Sequence, residues 1–177
     1  MITAEQIVMN DNRIAPIAEK YANKIARNNY TVEMATHELM KTAVEVLIRK
    51  LNGRPALSHS SYGRVECNQE FSNEVYEMFD CAPKVGMACT EILYSDKYAC
   101  EITKVVSPRK ICVRMKDYKV KDWQDGEGEV IDRFRKEDEE VFTLRKGGGW
   151  IAQGQPNYFG SVVLAVGYAR TYIDPSF

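Results

Sequence analysis

Residues 98–116 read YACEITKVVSPRKICVRMK, and this stretch decides the fold class of the C-terminal half. On each side of its Ser-Pro-Arg-Lys turn, apolar and polar residues alternate with a period of two, as in strands with one buried face. Two such runs joined by a short turn predict an antiparallel β-hairpin. Lys110, Arg114 and Lys116 fall on the face opposite the apolar one, so we expect these cations to project together into solvent.

More strand-like segments surround this hairpin, at residues 85–93, 141–146, 150–152 and 161–168. Three glycines at residues 147–149 predict a tight turn with positive φ, because a phosphate-binding loop would end in Gly-Lys-Ser/Thr and open a helix. About five or six short antiparallel strands would close most economically into a small barrel that leaves no exposed edge. We therefore predict an SH3-like or OB-like barrel domain over residues 83–177.

The N-terminal region, residues 1–82, has the patterns of about three helices. Thr3, with a Gln three residues later, predicts a helix start, and Thr31 predicts the cap of a second helix with a long apolar stripe. Pro16 should kink its helix or lie in the first turn, and Asn68 should cap a third helix. We predict an α+β fold in which these helices pack on the barrel.

The composition excludes several classes of protein. Apolar residues make up 45% and charged residues 28%, which excludes wholesale disorder, and 24 Lys+Arg against 25 Asp+Glu excludes a protein that coats nucleic acid indiscriminately. The first residues lack the pattern of a signal peptide, so we expect a cytoplasmic protein. Five cysteines without a Cys-x-x-Cys pair rule out a complete disulfide framework. Cys100 and Cys112 are expected as small half-buried strand residues.

Charge is nevertheless segregated between two neighbouring segments. Residues 104–121 carry seven basic residues against one acid, a net charge of +6, and residues 122–140 carry nine acids against three basic residues, a net charge of −6. The basic residues, with two neighbouring aromatic residues, are Lys104, Arg109, Lys110, Arg114, Lys116, Lys119, Lys121, Tyr118 and Trp123. The acidic candidates are Asp122, Asp125, Glu127, Glu129, Glu137, Asp138, Glu139 and Glu140.

Three interpretations of this charge pattern stay open. The basic hairpin and its aromatic residues could contact nucleic-acid phosphates and bases. The acidic segment, as a long loop hanging from the barrel, could instead mimic phosphate and occupy a basic groove on a protein partner. Alternatively, the two segments neutralise each other or form solvated faces.

No set of residues in the sequence has the pattern of a catalytic or metal centre. His59 lies between two serines without a nucleophile-elbow pattern, and His37 lacks the second ligand of a zincin helix, since the residue four positions later is Lys41. The acidic residues 122–129 miss the spacing of a calcium loop. We predict no catalytic residue, no metal and no cofactor, and so a protein that is not an enzyme.

The last 95 or so residues resemble small uncharacterised proteins of bacteriophages and prophages. The resemblance is carried by Val85-Gly86-Met87-Ala88-Cys89-Thr90, Ser95-Asp96-Lys97-Tyr98, Phe142-Thr143-Leu144-Arg145-Lys146 ahead of Trp150, Val166-Gly167-Tyr168 and Asp174-Pro175-Ser176-Phe177. It implies a binding protein that acts on a host protein or nucleoprotein in the bacterial cytoplasm. In size, local acidity and lack of a catalytic set the chain is also similar to inhibitors of defence nucleases, including anti-CRISPR proteins. A nucleic-acid-binding accessory module and a virion or assembly component are the alternatives.

Overall fold

A computed structural model of the protein describes residues 1–26, 30–56, 65–80, 82–121, 124–156 and 162–176. Within these ranges the fold is α+β, with four helices followed by an eight-stranded antiparallel sheet. None of the described helices is long and apolar enough to cross a membrane. The helices are α1 Ala4–Asn10, α2 Ile14–Ile25, α3 Val32–Leu51 and α4 Val65–Met78.

The described part of the chain forms four helices, one more than the sequence patterns predict, because Asp11 interrupts the first helical stretch. The Asp11 carboxylate accepts a hydrogen bond from the backbone N–H of Arg13 at 3.0 Å, which forms a turn between α1 and α2. Pro16 is the third residue of α2. It therefore lies in the first turn, where its missing N–H removes no helical hydrogen bond. Of the two predictions for Pro16, a kink or a place in the first turn, the second is confirmed.

The helix start predicted at Thr3 is confirmed, because α1 begins at Ala4. The caps predicted at Thr31 and Asn68 have different outcomes. The Thr31 hydroxyl accepts a hydrogen bond from the backbone N–H of Met34 at 3.2 Å, so the predicted cap of α3 is confirmed. The prediction that Asn68 caps a helix is wrong, because α4 begins at Val65 and Asn68 lies in its first turn. The Asn68 carbonyl instead accepts a hydrogen bond from the Ser72 hydroxyl at 2.7 Å.

Over the residues that the structure describes, the sheet contains eight strands where about five or six were predicted. They are β1 Ala88–Ile92, β2 Lys97–Ser107, β3 Lys110–Val120, β4 Glu127–Phe134, β5 Glu140–Leu144, β6 Trp150–Ala152, β7 Val163–Val166 and β8 Thr171–Tyr172. The additional strands are β4, which lies in the acidic segment, and β8, which has two residues. Neither has the apolar alternation that predicts a strand.

The predicted hairpin is confirmed as β2 and β3, which pair antiparallel with Ile102 opposite Val113. The strand order is β1-β2-β8-β4-β3-β5-β6-β7, with a further pairing of β2 and β3. β7 pairs with β1, so the hydrogen-bonded ladder returns to its first strand. The predicted glycine turn between β5 and β6 is also confirmed, with φ of 86° at Gly148 and 83° at Gly149.

The chain divides into two compact units. The helical unit comprises Ala4–Lys50 and Arg54–Cys81, and Tyr21 and Phe71 make an edge-to-face contact in its interior with ring centroids 5.7 Å apart. The sheet unit comprises Met1–Thr3, Leu51–Gly53 and Ala82–Phe177. Its largest fully buried side chains are Trp150, Phe142, Leu51, Ile102, Ile111 and Leu164.

Two short segments from outside the sheet complete the sheet unit. The Trp150 indole N–H donates to the carbonyl of Leu51 at 2.9 Å. The Asn52 side chain donates to the carbonyl of Val166 at 2.9 Å and accepts from its N–H at 3.0 Å, which is the pattern of a strand neighbour. Near the N-terminus, Ile2 forms a parallel bridge with Met87. These contacts satisfy polar groups that would otherwise be buried without a partner.

Candidate functional site

The cations of the predicted basic hairpin are separated along β2 and β3. Lys104 and Arg109 are exposed at the turn end of the hairpin, and Lys110 is half-buried there. Lys119 and Lys121 are exposed at the opposite end of β3. Arg114 and Lys116 lie between these two groups. The basic segment is therefore not one continuous cationic surface.

Lys116 contradicts the prediction that its side chain projects into solvent. It is 4% exposed, and its ammonium lies 2.9 Å from a Glu101 carboxylate oxygen and 2.8 Å from an Asp132 carboxylate oxygen. The same ammonium lies 4.2 Å from the centroid of the Phe134 ring. Burial disfavours the charged form of Lys116, but Asp132 and Glu101 outweigh it and raise the pKa of the lysine. The prediction is wrong because Asp132 and Phe134 belong to β4, whose composition is that of a solvated loop.

The prediction that the acidic segment hangs as a long loop is also wrong. Residues Glu127–Phe134 form β4 and pair with β3. Asp117 of β3 pairs with Arg133 of β4, and this hydrogen bond lowers the pKa of the aspartate. The Arg114 guanidinium lies 3.6 Å from the carboxylate of Glu139, which directly precedes β5. At these pairs the basic and acidic segments neutralise each other, as the third interpretation of the charge pattern proposed.

The remaining acidic candidates are dispersed. Glu127 pairs with Arg170, and Asp125 and Glu129 are exposed near the start of β4. Glu137 and Asp138 are exposed between β4 and β5. Asp122 and Trp123 lie outside the described residues.

A compact cationic surface occurs where the β2–β3 turn meets the β5–β6 turn. Arg109 donates through Nε and Nη2 to the carbonyl of Leu144 at 3.2 and 2.8 Å, and the N–H of Leu144 donates back to the carbonyl of Arg109 at 2.9 Å. Residues 104–110 and 143–149 together contain five cations and no acid. We call this surface the basic end; its cations are Lys104, Arg109, Lys110, Arg145 and Lys146.

Sequence reasoning missed Arg145 and Lys146 as members of this surface. Both follow β5, and the surface forms because Lys110 of β3 lies opposite Thr143 of β5. That pairing joins residues more than thirty positions apart, so no local pattern predicts it. The Arg-Lys pair next to the glycine turn was the available signal.

Tyr118 does not lie beside the basic end. It is eight residues from Lys110 along β3, roughly 26 Å at the rise of a strand. Its ring packs against Tyr98 with centroids 5.9 Å apart, and the Arg135 guanidinium lies 4.9 Å from its centroid. Tyr118 is therefore already engaged by aromatic and cation contacts within the sheet unit.

A second candidate site is a pair of carboxyl groups on β1 and β5, of which Glu140, but not Glu91, was named from the sequence. Glu91 is 6% exposed, and it lines a cavity of about 120 Å³ together with Cys100, Lys136, Asp138 and Glu140. Burial first and the neighbouring Glu140 carboxyl second raise the pKa of Glu91 to about 7. The signal in the sequence was a glutamate within the otherwise buried run of residues 88–92.

Cys89, Cys100 and Cys112 are free and buried, so the prediction that Cys100 and Cys112 are half-buried is wrong. Cys89, Cys100 and Cys112 are 0%, 1% and 6% exposed. Burial raises the pKa of Cys100 to about 12 and that of Cys89 well above its ordinary value. These two groups are therefore thiols at neutral pH, and thiols are weak nucleophiles.

The two histidines add no site to those above. His37 is exposed on α3, and His59 lies outside the described residues. Within the described ranges, no three His, Cys, Asp or Glu side chains are grouped so that they could hold a metal ion.

Comparisons with family models, with curated proteins and with solved structures give no match for this chain. The resemblance to phage proteins therefore stays a prediction, as do the expectations of a nuclease inhibitor and of a virion component. The basic end and the carboxyl pair are the two candidate sites of the described chain.

Proposed function

We propose that this chain is a non-enzymatic binding protein that contacts the phosphates of a nucleic acid, free or within a nucleoprotein, through its basic end. The observation that supports this function is the grouping of five cations without an acid on two adjoining turns and the strand ends beside them. Phosphate contacts supply most of the affinity of proteins that bind nucleic acid without sequence preference.

The geometry of the basic end supports contact with a phosphate backbone. Hydrogen bonds to Leu144 and Gln155 hold the guanidiniums of Arg109 and Arg145, so these two cations are oriented before a ligand arrives. Within the described residues, the side chains of Lys104 and Lys146 form no ion pair, and both are exposed. Val106, two residues from Lys104 on β2, is 49% exposed and offers an apolar contact.

We infer further that the sheet unit is a small barrel of the SH3-like or OB-like type. The return of the ladder to β1 and the short antiparallel strands support this assignment. OB-type barrels bind single-stranded nucleic acid along a positively charged groove.

Titration of a fluorescent oligonucleotide of about 20 nucleotides tests the proposed function. We expect binding at 50 mM salt that weakens steeply at 200 mM salt, because each phosphate contact releases a counterion. Replacing Lys104 and Lys146 by Gln should weaken binding about tenfold or more. The same replacement should lower the salt slope by roughly one unit for each phosphate that the variant no longer neutralises.

The matched control replaces Lys119 and Lys121 by Gln, which removes the same charge from exposed positions at the other end of β3. This variant should bind within about twofold of the unaltered chain. Equal loss in the two double variants would show that net charge, and not the basic end, determines binding. Absence of salt-sensitive binding by the unaltered chain would overturn the proposed function.

A second candidate function is the occupation of a basic groove on a host protein by the acidic residues before β5. It is favoured because Glu137 and Asp138 are exposed and form no ion pair within the described residues, whereas Glu139 pairs with Arg114. Affinity capture from a bacterial lysate by the unaltered chain and by the variant Glu137→Gln with Asp138→Asn tests it. A variant with Glu33→Gln and Glu45→Gln on α3 is the charge-matched control.

A further inference from the structure

The sheet unit contains an open hollow of about 450 Å³, separate from the basic end. Four strands that follow one another in the ladder, β1, β7, β6 and β5, bring its walls together. Glu91 lies on β1 and Glu140 opens β5, whereas Gln153 and Gln155 follow β6. The volume is within the range of about 300–1,000 Å³ that is typical of sites for small ligands.

The wall of this hollow combines carboxyl, amide and apolar groups. Its polar lining residues are Glu91, Glu140, Gln153 and Gln155, and apolar ones beside them are Val141 and Ala152. Among the described residues that line it, none is a lysine or an arginine. The lining therefore fits a ligand that carries a positive charge, several N–H donors and an aliphatic part.

Glu91 is the lining residue with the strongest need of such a ligand. It is 6% exposed, and no ion pair between described residues includes it. The group that donates to its carboxylate within the described chain is the Cys100 thiol, a weak donor, at 4.0 Å. Lys136 lines the smaller cavity beside Glu91 but not this hollow. Because a buried carboxylate is costly without a cation or a strong donor, a ligand that supplies both gains more here than at an exposed carboxylate.

Backbone hydrogen bonds fix the rim of the hollow before a ligand arrives. The N–H of Gln153 donates to the carbonyl of Val141 at 2.7 Å, and the N–H of Gln155 donates to the carbonyl of Ala152 at 3.1 Å. The Gln155 carbonyl in turn accepts a hydrogen bond from Arg145 Nη2 at 2.8 Å. A rim that is already ordered costs little conformational entropy on binding.

We propose that this hollow binds an alkylguanidinium group, with the cation against the two carboxyls and the aliphatic chain against the apolar wall. A guanidinium is planar and has five N–H donors, so it can meet carboxylate and amide oxygens at the same time. An arginine side chain of a partner protein and a free small molecule carry this same group. The site goes beyond the proposed function, because no cation of the basic end lines it and its ligand is opposite in charge to a phosphate.

Titration of the full chain with n-butylguanidinium at pH 8, followed by ¹H–¹⁵N NMR, tests the site. At this pH Glu91, whose pKa is about 7, is mainly ionised. We expect saturable shifts at the backbone N–H groups of Glu91, Val141 and Gln153, with a Kd of about 1 mM or tighter, as is usual for so small a ligand. n-Butylurea has the same shape without the charge and should bind at least about tenfold more weakly.

A blocked arginine, N-acetylarginine N-methylamide, distinguishes the two sources of the ligand. Its affinity should be within about threefold of that of n-butylguanidinium if the site takes an arginine from a partner chain, because the backbone then stays outside the hollow. A loss of about tenfold or more would assign the site to a free small molecule. Either result is compatible with the site itself.

Three variants make the test specific. Glu91→Gln keeps the shape and removes the charge, and Ala152→Leu narrows the hollow and keeps the charge, so each should weaken n-butylguanidinium at least about tenfold. Glu129→Gln removes a charge from an exposed position of β4 and should bind within about twofold of the unaltered chain. Equal affinity in Glu91→Gln and Glu129→Gln, equal affinity for n-butylurea and n-butylguanidinium, or the lack of saturable shifts in the unaltered chain would each overturn the proposal.

Discussion

At the residue scale, the protonated form of Glu91 stabilises the sheet unit more than the ionised form does. Its pKa is about 7 in the folded chain against a reference value of 4.5, so the folded state binds more protons than the unfolded state between these values. The free energy of unfolding should therefore fall as pH rises from about 4.5 through 7. The full effect is about 3 kcal/mol for a shift of this size.

We accordingly expect Glu91→Gln to be more stable than the unaltered chain at pH 8 and similar to it at pH 5. Urea unfolding at the two pH values measures the difference, and Glu129→Gln should follow the unaltered chain at both. The lowered pKa values of Asp117 and Asp132 contribute stability that is lost only as pH falls below about 4, outside this window. A Glu91→Gln variant that loses stability equally at both pH values would contradict the assignment.

Lys116 is the second residue whose burial has a measurable consequence. Its ammonium compensates Glu101 and Asp132, whose side chains are 20% and 86% exposed. Lys116→Met should lower the free energy of unfolding by about 2 kcal/mol. This loss is smaller than the loss expected when one partner of a fully buried ion pair is removed, because water can reach Asp132. Lys119→Met, at an exposed position of the same strand, should change it by less than about 0.5 kcal/mol. Chemical denaturation of the two variants at pH 7 makes the comparison.

At the element scale, Asn52 acts as a strand neighbour for β7. Its side chain is 6% exposed and pairs with both backbone groups of Val166. Asn52→Asp keeps the acceptor but loses the donor and buries a charge, so we expect a loss of at least about 2 kcal/mol in urea unfolding. Asn73→Asp makes the same chemical change at an exposed position of α4 and should be nearly neutral. Equal stability of the two variants would show that the Asn52 bridge contributes nothing.

The elements also show what could be predicted from the sequence. The β2–β3 hairpin and the cap of α3 were predictable because a period of two and a Thr before an apolar stripe act within a few residues. β4 was not, because Glu127–Phe134 has the composition of a solvated loop and becomes a strand through its pairing with β3. The burial of Lys116 was not predictable for the same reason, since Asp132 and Phe134, which contact its ammonium, belong to β4. Both candidate sites depend on β5, whose partners lie far away in the sequence.

At the scale of the whole molecule, the sheet unit is assembled from three separate pieces of chain. Ile2 exchanges backbone hydrogen bonds of 2.8 Å with Gly86 and Ala88. Leu51 and Asn52 accept hydrogen bonds from the Trp150 indole and from the N–H of Gly149 at 2.9 and 2.8 Å. The sequence from Ala82 onward therefore lacks partners for several buried groups of its own sheet.

We expect a fragment of residues 82–177 to lose its cooperative unfolding transition. It would leave the Trp150 indole N–H and both backbone groups of Val166 unpaired, at about 1–3 kcal/mol each, against a typical domain stability of about 5–15 kcal/mol. Near-UV circular dichroism and urea titration of the fragment and of the full chain measure the loss. Trp150→Phe in the full chain removes one of these bonds and keeps both segments, so it should remain cooperative with a lower midpoint. A fragment with the midpoint of the full chain would show that these segments add nothing to the stability of the sheet.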